Sequence, residues 1–166
     1  AQYEELIRAK TGSLIGASTE IGAGLNGGAR DVRRRERYRQ FGEKVGVAFQ
    51  IVDDLFDYLS DSRITGKPVG YDLAEGKVTL PLIAALRQAS ERDGKRLRRL
   101  AGRKRWTGTQ WASLTALIEK AGGFRYARER AAALANESRG ILAEERASSA
   151  RRALDAAVDY AIQRDH

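Results

Sequence analysis

Three closely spaced aspartates are the residues of this sequence best suited to chemistry. Asp53, Asp54 and Asp57 form an Asp-Asp-x-x-Asp motif within a segment of helical periodicity. At about 100° per residue they share one helix face with Gln50, while the opposite face is apolar. Because like charges at this spacing repel one another, a divalent cation would stabilise them. Carboxylate oxygens without histidine or cysteine favour Mg²⁺ or Mn²⁺ over zinc, and Mg²⁺ commonly binds substrate phosphate oxygens as well.

The same face carries two glycines, Gly42 and Gly46, one helical turn apart. Glycine inside a helix costs about 1 kcal/mol relative to alanine, so a solvated face has no use for it. A second backbone or a ligand that comes close does require it. The alternative is an ordinary amphipathic helix whose polar face lies in water. The carboxylates and glycines together favour a metal–diphosphate site on this face.

The first predicted helix places a lysine among apolar residues. On a helical projection, Lys10 lies within a stripe that also contains Leu6, Leu14 and Ile21. Near a helix end, a lysine can direct its ammonium group out of such a stripe. In the middle of the stripe, a buried ammonium group requires an anion. The pattern therefore predicts an inward-facing Lys10 that binds phosphate, with the Thr11 hydroxyl beside it.

A glycine-rich segment follows the aspartates. Residues 61–77 show no helical or strand period and include several glycines and a proline. A segment of about 15 residues without secondary structure is uncommon in a compact domain and is often functional. Lys67 and Lys77 lie in it and could reach phosphate, although a plain surface connection remains the alternative.

Helices must position these groups, because helical periodicity dominates the sequence. We predict helices over residues 2–25, 29–60, 78–91, 107–121, 124–146 and 148–164. No alternating strand pattern is present, so the predicted fold class is all-α. With 42% apolar residues, the 166-residue chain can bury one core, and we expect a single helical domain over residues 1–166.

The charge of the chain is concentrated in two arginine clusters. The net charge is +8, with six arginines against two acids in residues 30–39 and eight basic residues against one acid in residues 92–105. This balance predicts an anionic partner. A helical nucleic-acid-binding module is one alternative, but no helix-turn-helix pattern or interleaved aromatic residues accompany the arginines. We therefore expect no nucleic-acid partner.

Other function classes are excluded by composition. No run of about 18 uncharged apolar residues exists, so no transmembrane segment is expected. The chain has no cysteine, which excludes disulfides and thiolate metal sites. We expect a cytoplasmic protein.

The motifs together resemble a known family. Lys10-Thr11, residues 49–57 (FQIVDDLFD), residues 66–73 (GKPVGYDL) and residues 75–81 (EGKVTLP) occur in the order and spacing typical of trans-isoprenyl diphosphate synthases, also called polyprenyl synthetases. The resemblance runs from about residue 3 to 86. The glycine-rich segment is most similar to that of medium- and long-chain bacterial enzymes.

The resemblance implies a fold and a reaction. The fold would be part of the isoprenoid synthase helical bundle. In this family an allylic diphosphate ionises on Mg²⁺ ions, isopentenyl diphosphate attacks the allylic cation, and a proton is lost. The protein holds the leaving diphosphate and shields the cation from water.

The resemblance also assigns roles to individual residues. Asp53 would be the principal Mg²⁺ ligand of the second aspartate-rich motif, which Asp54 and Asp57 complete. The residues that would contact the allylic diphosphate or stabilise the cation are Lys10, Lys67, Lys77, Thr11 and Gln50. Among these, Lys10, Thr11 and Gln50 form the implied catalytic set.

The sequence departs from the family in one large respect. The first aspartate-rich motif is missing, as are the Gly-Lys and Arg-Arg elements that bind isopentenyl diphosphate. The chain therefore resembles the C-terminal half of a synthase. We expect it to be inactive alone and to act as a homodimer or with a complementary N-terminal half, whether that half precedes Ala1 or is a separate subunit. The alternative is a non-catalytic partner subunit of a heteromeric synthase.

Overall fold

The described part of the chain is helical. A computed structural model describes residues 2–25, 31–59 and 70–163, and no strand occurs in these ranges. The predicted all-α class is confirmed. The helices are α1 (Gln2–Ile7), α2 (Ser13–Leu25), α3 (Val32–Leu59), α4 (Tyr71–Ala74), α5 (Leu80–Gln88), α6 (Glu91–Ala101), α7 (Gly108–Lys120), α8 (Gly123–Ala143) and α9 (Ser149–Ile162), and a π-helical turn over Arg8–Gly12 joins α1 to α2.

Two helices were not predicted. The segment of α6 was treated only as a charge cluster, because it has few apolar residues to reveal a period. Leu97 and Leu100 nevertheless bury one side of it, and the Ser90 side chain caps its N-terminus by accepting the backbone N–H of Asp93 at 3.2 Å. The short helix α4 lies inside the segment that was predicted to have no secondary structure, so that prediction was wrong for residues 71–74.

The chain divides into two compact units. One comprises residues 1–52 and 130–165, and the other comprises residues 53–129 with residue 166. Helices α3 and α8 each contribute to both units. The single domain over residues 1–166 stays a prediction.

In the first unit, α3 packs against α8 and α9. Its core is the buried cluster of Phe41, Val45, Ala135, Leu142, Val158 and Ala161. The arginines at the start of α3 are held by carboxylates. Arg37 contacts Glu144 and Glu145, each at 3.0 Å, and Arg34 contacts Glu145 at 3.2 Å. This cluster therefore serves to attach α3 to the end of α8.

In the second unit, an aromatic group fixes the end of α3. The Tyr58 ring stacks on Trp111 of α7 with 5.7 Å between centroids and meets the edge of Phe124 of α8 at 5.9 Å. The Thr79 hydroxyl donates to the Tyr58 hydroxyl at 3.3 Å. These contacts hold the last turns of α3, where the aspartates lie.

None of the helices in the described ranges has an apolar stretch long enough to cross a membrane.

Candidate metal and diphosphate site

The three aspartates of α3 occupy different environments. Asp53 is exposed, Asp57 is half-buried, and Asp54 is only 4% exposed. Neighbouring positions on a helix differ by about 100° in direction, so Asp53 and Asp54 cannot both point fully outward. Asp53 and Asp57, at i and i+4, lie on the same side. They are therefore the members of the motif best placed to meet a ligand from solvent.

Asp57 is held in a state that disfavours its negative charge. Burial is the main cause that raises its pKa to about 6, and the charges of Asp72 and Asp53 raise it further. The backbone N–H of Asp72 donates to Asp57 Oδ2 at 3.3 Å and offsets part of this effect. A carboxylate that is strained by neighbouring carboxylates gains most from a bound cation.

Asp72 is a site residue that the sequence interpretation quoted within a motif but did not select. Asp72 lies in the first turn of α4, and Gly70 precedes that turn and sets its position. Gly70 has φ of 75°, and a Cβ there would lie 2.4 Å from the Trp111 ring, so only glycine fits. Its N–H donates to the backbone oxygen of Asp57 at 3.0 Å. The signal in the sequence was the Gly-Tyr-Asp run within the glycine-rich segment.

Lys77 already has carboxylate partners. Its Nζ lies 2.8 Å from Asp72 Oδ1 and 2.9 Å from Glu75 Oε2. Hydrogen bonding to Asp72, and then to Glu75, holds the pKa of Lys77 above its ordinary value. The ammonium group also lies over the Tyr71 ring, 5.8 Å from its centroid. Lys67, the other lysine predicted for this segment, lies outside the described residues.

Thr11 and Gln50 contact each other in the structure. The Thr11 hydroxyl donates to Gln50 Oε1 at 3.1 Å. Gln50 is buried, and Thr11 lies in the π-helical turn Arg8–Gly12. A π-helical turn inserts an extra residue into a helix and is frequent at functional sites. The oxygen of Gln50 and that of Thr11 are thus held together by the first unit alone.

The glycines on α3 allow a backbone to approach. A Cβ on Gly42 would lie 2.6 Å from the backbone oxygen of Ile15, and one on Gly46 would lie 2.8 Å from the Cα of Gly12. We call the contact made by Gly12, Gly16, Gly42 and Gly46 the glycine seam. The sequence left a backbone and a ligand as alternatives, and here the close neighbour is the backbone of the π-helical turn and α2.

The prediction of an inward-facing, buried Lys10 was wrong. Lys10 is exposed, and so are its stripe neighbours Leu6 at 66%, Leu14 at 70% and Ile21 at 63%, whereas Ile7 at the edge of the stripe is buried. The glycine seam turns the small residues of this segment toward α3, which leaves the apolar stripe outward. The π-helical turn also changes the register, so a uniform projection of 100° per residue does not describe this segment.

The donor set fits a hard cation that is only partly held by protein. No group of three or more histidine, cysteine, aspartate or glutamate side chains is disposed to hold a metal ion within residues 2–25, 31–59 and 70–163. Mg²⁺ typically needs one or two carboxylates, and it completes its shell with water and substrate phosphates. Asp53 and Asp57 meet that requirement, and the raised pKa of Asp57 marks where a positive charge would be stabilising.

Comparison with known proteins gives a consistent result. The family model described as Polyprenyl synthetase matches residues 1–118. A short chain isoprenyl diphosphate synthase from Methanothermobacter thermautotrophicus is 39% identical over 99% of this chain and 50% of its own length. A nonaprenyl diphosphate synthase from Mycobacterium tuberculosis is also 39% identical, over 98% of this chain and 48% of its own length.

Solved structures agree with the fold. A geranylgeranyl pyrophosphate synthetase from Pyrococcus horikoshii matches with a TM-score of 0.86 at 30% identity, over 98% of this chain and 49% of its own. A polyprenyl synthase from Caulobacter crescentus, complexed with calcium and isoprenyl diphosphate, matches with a TM-score of 0.84 at 33% identity, over 99% of this chain and 49% of its own. The chain thus spans about half the length of the relatives that it matches, and it corresponds to their C-terminal half.

Proposed function

This chain belongs to the polyprenyl synthetase family, and on that premise we propose that it is the C-terminal component of a trans-polyprenyl diphosphate synthase, a prenyltransferase. In this proposal it binds Mg²⁺ and the diphosphate of an allylic substrate, which is then elongated with isopentenyl diphosphate. The observation that carries the proposal is the geometry around the aspartate motif. Asp53 and Asp57 share one side of α3. The Asp72 backbone N–H donates to Asp57 Oδ2 at 3.3 Å, and the Asp72 carboxylate holds Lys77 Nζ at 2.8 Å.

Asp53 and Asp57 would hold Mg²⁺, with Asp54 completing the motif from its buried position. When bound, Mg²⁺ supplies positive charge to the leaving diphosphate. Asp72 orders the site through its backbone N–H, which donates to Asp57, and through its carboxylate, which fixes Lys77. An ammonium group has three donors, so Lys77 can keep one carboxylate partner and still donate to phosphate.

Thr11 and Gln50 would place oxygen dipoles beside the cation that forms when the diphosphate leaves. Their hydrogen bond fixes the orientation of both groups before substrate binds. Lys10 lies next to Thr11 with an exposed side chain, so its ammonium group is accessible to a diphosphate. Lys67 would share this role, as the resemblance implies.

A purely structural subunit would not need these groups. A half-buried carboxylate with a raised pKa lowers the free energy of unfolding at neutral pH. A subunit with only a structural role gains nothing that offsets this cost. This favours a catalytic contribution over a non-catalytic partner subunit.

We further propose that the chain acts in the cytoplasm, with a complementary N-terminal half or as a homodimer. The exposed apolar stripe of Leu6, Leu14 and Ile21 supports a partner, because stripes of this kind are normally covered by protein. The first aspartate-rich motif would come from the complementary N-terminal half, because a second copy of this chain lacks it as well.

The proposal is tested by calorimetric titration of the chain with Mg²⁺ and pyrophosphate. Asp53→Ala should weaken Mg²⁺-dependent binding by about 100-fold or more, because it removes a metal ligand. Asp155→Ala is the matched control, since that aspartate lies on α9 outside the motif and should leave binding unchanged. Unchanged binding in the Asp53 variant would refute the proposal.

Activity provides a second test. The chain alone should form no labelled product from isopentenyl and allylic diphosphates. Addition of an N-terminal half from a relative that carries the first aspartate-rich motif should restore product formation. Product from the chain alone would show that the expected dependence on a partner is wrong.

A further inference from the structure

The second arginine cluster forms a cationic surface on α6. Leu97 and Leu100 bury one side of this helix, and the basic residues cover the opposite side and the segment that follows. All eight of them are exposed. They are Arg92, Lys95, Arg96, Arg98, Arg99, Arg103, Lys104 and Arg105, and we call them the α6 surface.

Little within the described chain neutralises this surface. Lys95 pairs with Glu91 at 2.7 Å, and both side chains are exposed to solvent. Asp93, the acid among these residues, is paired with Lys120 of α7 at 2.7 Å. For Arg96 and Arg99, no carboxylate within 4.0 Å is found among residues 2–25, 31–59 and 70–163. The first arginine cluster differs, because Glu145, just after the end of α8, holds both Arg34 and Arg37.

A groove gives the α6 surface a place for anionic groups. It lies between α6 and α7 and has a volume of about 920 Å³. One wall is a stripe of α6 that carries Arg92, Arg96 and Arg99. The facing stripe of α7 carries Ser113, Ala116 and Leu117, and its Lys120 is paired with Asp93 across the groove. The cations outnumber the one carboxylate, and the small side chains of Ser113 and Ala116 leave room for phosphate groups to approach the guanidinium groups.

The nearby aromatic residues are committed to packing. Trp106 Nε1 donates to the backbone oxygen of Leu100 at 2.8 Å, and its ring meets Trp111 edge-on at 5.3 Å. Trp111 in turn stacks on Tyr58. Basic grooves that bind single-stranded nucleic acid usually offer aromatic rings on which the bases stack. Because both tryptophan rings are packed against other residues, neither is available for such stacking.

We propose that the α6 surface docks the protein on the anionic phospholipid headgroups of a membrane, with lipid phosphates in the groove between α6 and α7. The choice of a membrane rests on the proposed function, because a polyprenyl diphosphate carries a hydrocarbon tail that leaves water for lipid. A surface of exposed cations without exposed apolar side chains binds anionic bilayers reversibly, and this binding weakens as the salt concentration rises.

Flotation of the full chain with lipid vesicles tests this inference. The chain should bind vesicles of phosphatidylcholine mixed with phosphatidylglycerol, and it should not bind vesicles of phosphatidylcholine alone. Each cation removed should weaken partition about fivefold, so Arg96→Ala/Arg99→Ala should weaken it about 25-fold. Arg128→Ala/Arg152→Ala is the matched control, because it removes the same charge from exposed positions outside the α6 surface.

A second variant separates docking from folding. Arg103→Ala/Arg105→Ala changes residues after the end of α6, so it cannot disturb that helix, and it should also weaken partition about 25-fold. Equal loss in the control variant, or no binding of the wild-type chain to anionic vesicles, would overturn the inference. Tighter binding to a DNA duplex or single-stranded RNA than to anionic vesicles at the same salt would also overturn it, in favour of a nucleic-acid partner.

The same variants should retain Mg²⁺-dependent pyrophosphate binding. Failure of the vesicle experiment with intact pyrophosphate binding would remove only the membrane inference. Loss of pyrophosphate binding in the wild-type chain would instead remove the proposed function.

Discussion

The two ends of α3 shift the pKa values of their carboxyl groups in opposite directions. Near its start, hydrogen bonds from Arg39 and Gln40 lower the pKa of Glu36 to about 2. Near its end, burial and the charge of Asp72 raise the pKa of Asp57 to about 6. The first stretch neutralises its charges with side chains of the chain itself, whereas the second keeps a carboxylate under strain. The start of α3 is therefore stabilised by ion pairs within the chain, whereas its end carries the carboxylates that we propose bind a cation.

We expect the largest destabilisation from a substitution in the glycine seam, at Gly42 in the first half of α3. Gly42→Ala places a Cβ 2.6 Å from the backbone oxygen of Ile15 and 2.8 Å from the Cα of Gly16. Backbones cannot yield as side chains do, so we expect a loss of about 3 kcal/mol in the free energy of unfolding. Urea unfolding followed by circular dichroism measures it.

Gly22→Ala on α2 is the matched control. A Cβ at Gly22 meets nothing within 4 Å, so the better helix propensity of alanine should stabilise the chain by up to about 1 kcal/mol. Equal urea midpoints for the two variants would show that the seam is not closely packed.

Glu145 tests the ion pairs that attach the start of α3. Its side chain is 17% exposed and contacts both Arg34 and Arg37. Glu145→Ala should cost about 2 kcal/mol, because it leaves two partly buried guanidinium groups without this acceptor. Glu144, which is 61% exposed and contacts Arg37, is the control, and Glu144→Ala should cost less than about 0.5 kcal/mol. A larger thermal shift for Glu144→Ala than for Glu145→Ala would contradict this ranking.

Asp57→Asn tests the end of α3, where the carboxyl group has a raised pKa. Unlike Gly42→Ala and Glu145→Ala, it should increase the free energy of unfolding. The folded protein raises the pKa of Asp57 from 3.8 to about 6, so the folded state binds the proton more tightly than the unfolded state does. Stability from this group is therefore full below pH 3.8 and is lost as the pH rises to about 6. Asparagine does not ionise, so Asp57→Asn should gain about 1 kcal/mol over wild type at neutral pH, after allowance for its partial exposure.

Thermal unfolding of both proteins across this pH range measures the difference. The gain should be small in acid and should grow as the pH rises through 6. Added Mg²⁺ and pyrophosphate should stabilise the wild-type chain more than the variant. A gain that shrinks with rising pH would mean that the Asp57 carboxylate is not strained.

Lys77→Ala should have the smallest effect on stability. Its ammonium group is exposed, and surface ion pairs contribute little, so the free energy of unfolding should change by less than about 0.5 kcal/mol. Calorimetric Mg²⁺-dependent pyrophosphate binding should nevertheless weaken, because a cation beside Asp72 is lost. Lys95→Ala, which breaks a comparable exposed pair with Glu91, should leave binding unchanged. Equal pyrophosphate affinity in the two variants would exclude Lys77 from the site.

Much of the site could be predicted because it is local in sequence. The Asp-Asp-x-x-Asp spacing on one helix identifies the carboxylates without knowledge of the fold. The pairing of Thr11 with Gln50, 39 positions apart, was implied by the family resemblance and not by periodicity. Asp72 was missed because its role depends on Gly70, whose positive φ brings the start of α4 to the end of α3.

Residue types and their spacing were enough to predict the helical class, the carboxylate motif and the family, because these are local properties of the chain. Which face of a helix is covered depends instead on the neighbours that the fold brings to it. The apolar stripe around Lys10 predicted burial of that face. Instead, the face with Gly12 and Gly16 packs against α3 through the glycine seam, and Leu6, Leu14 and Ile21 stay exposed. The reason is that hydrophobic periodicity shows which face is apolar, whereas the neighbour that covers a helix is set by how closely two backbones can approach.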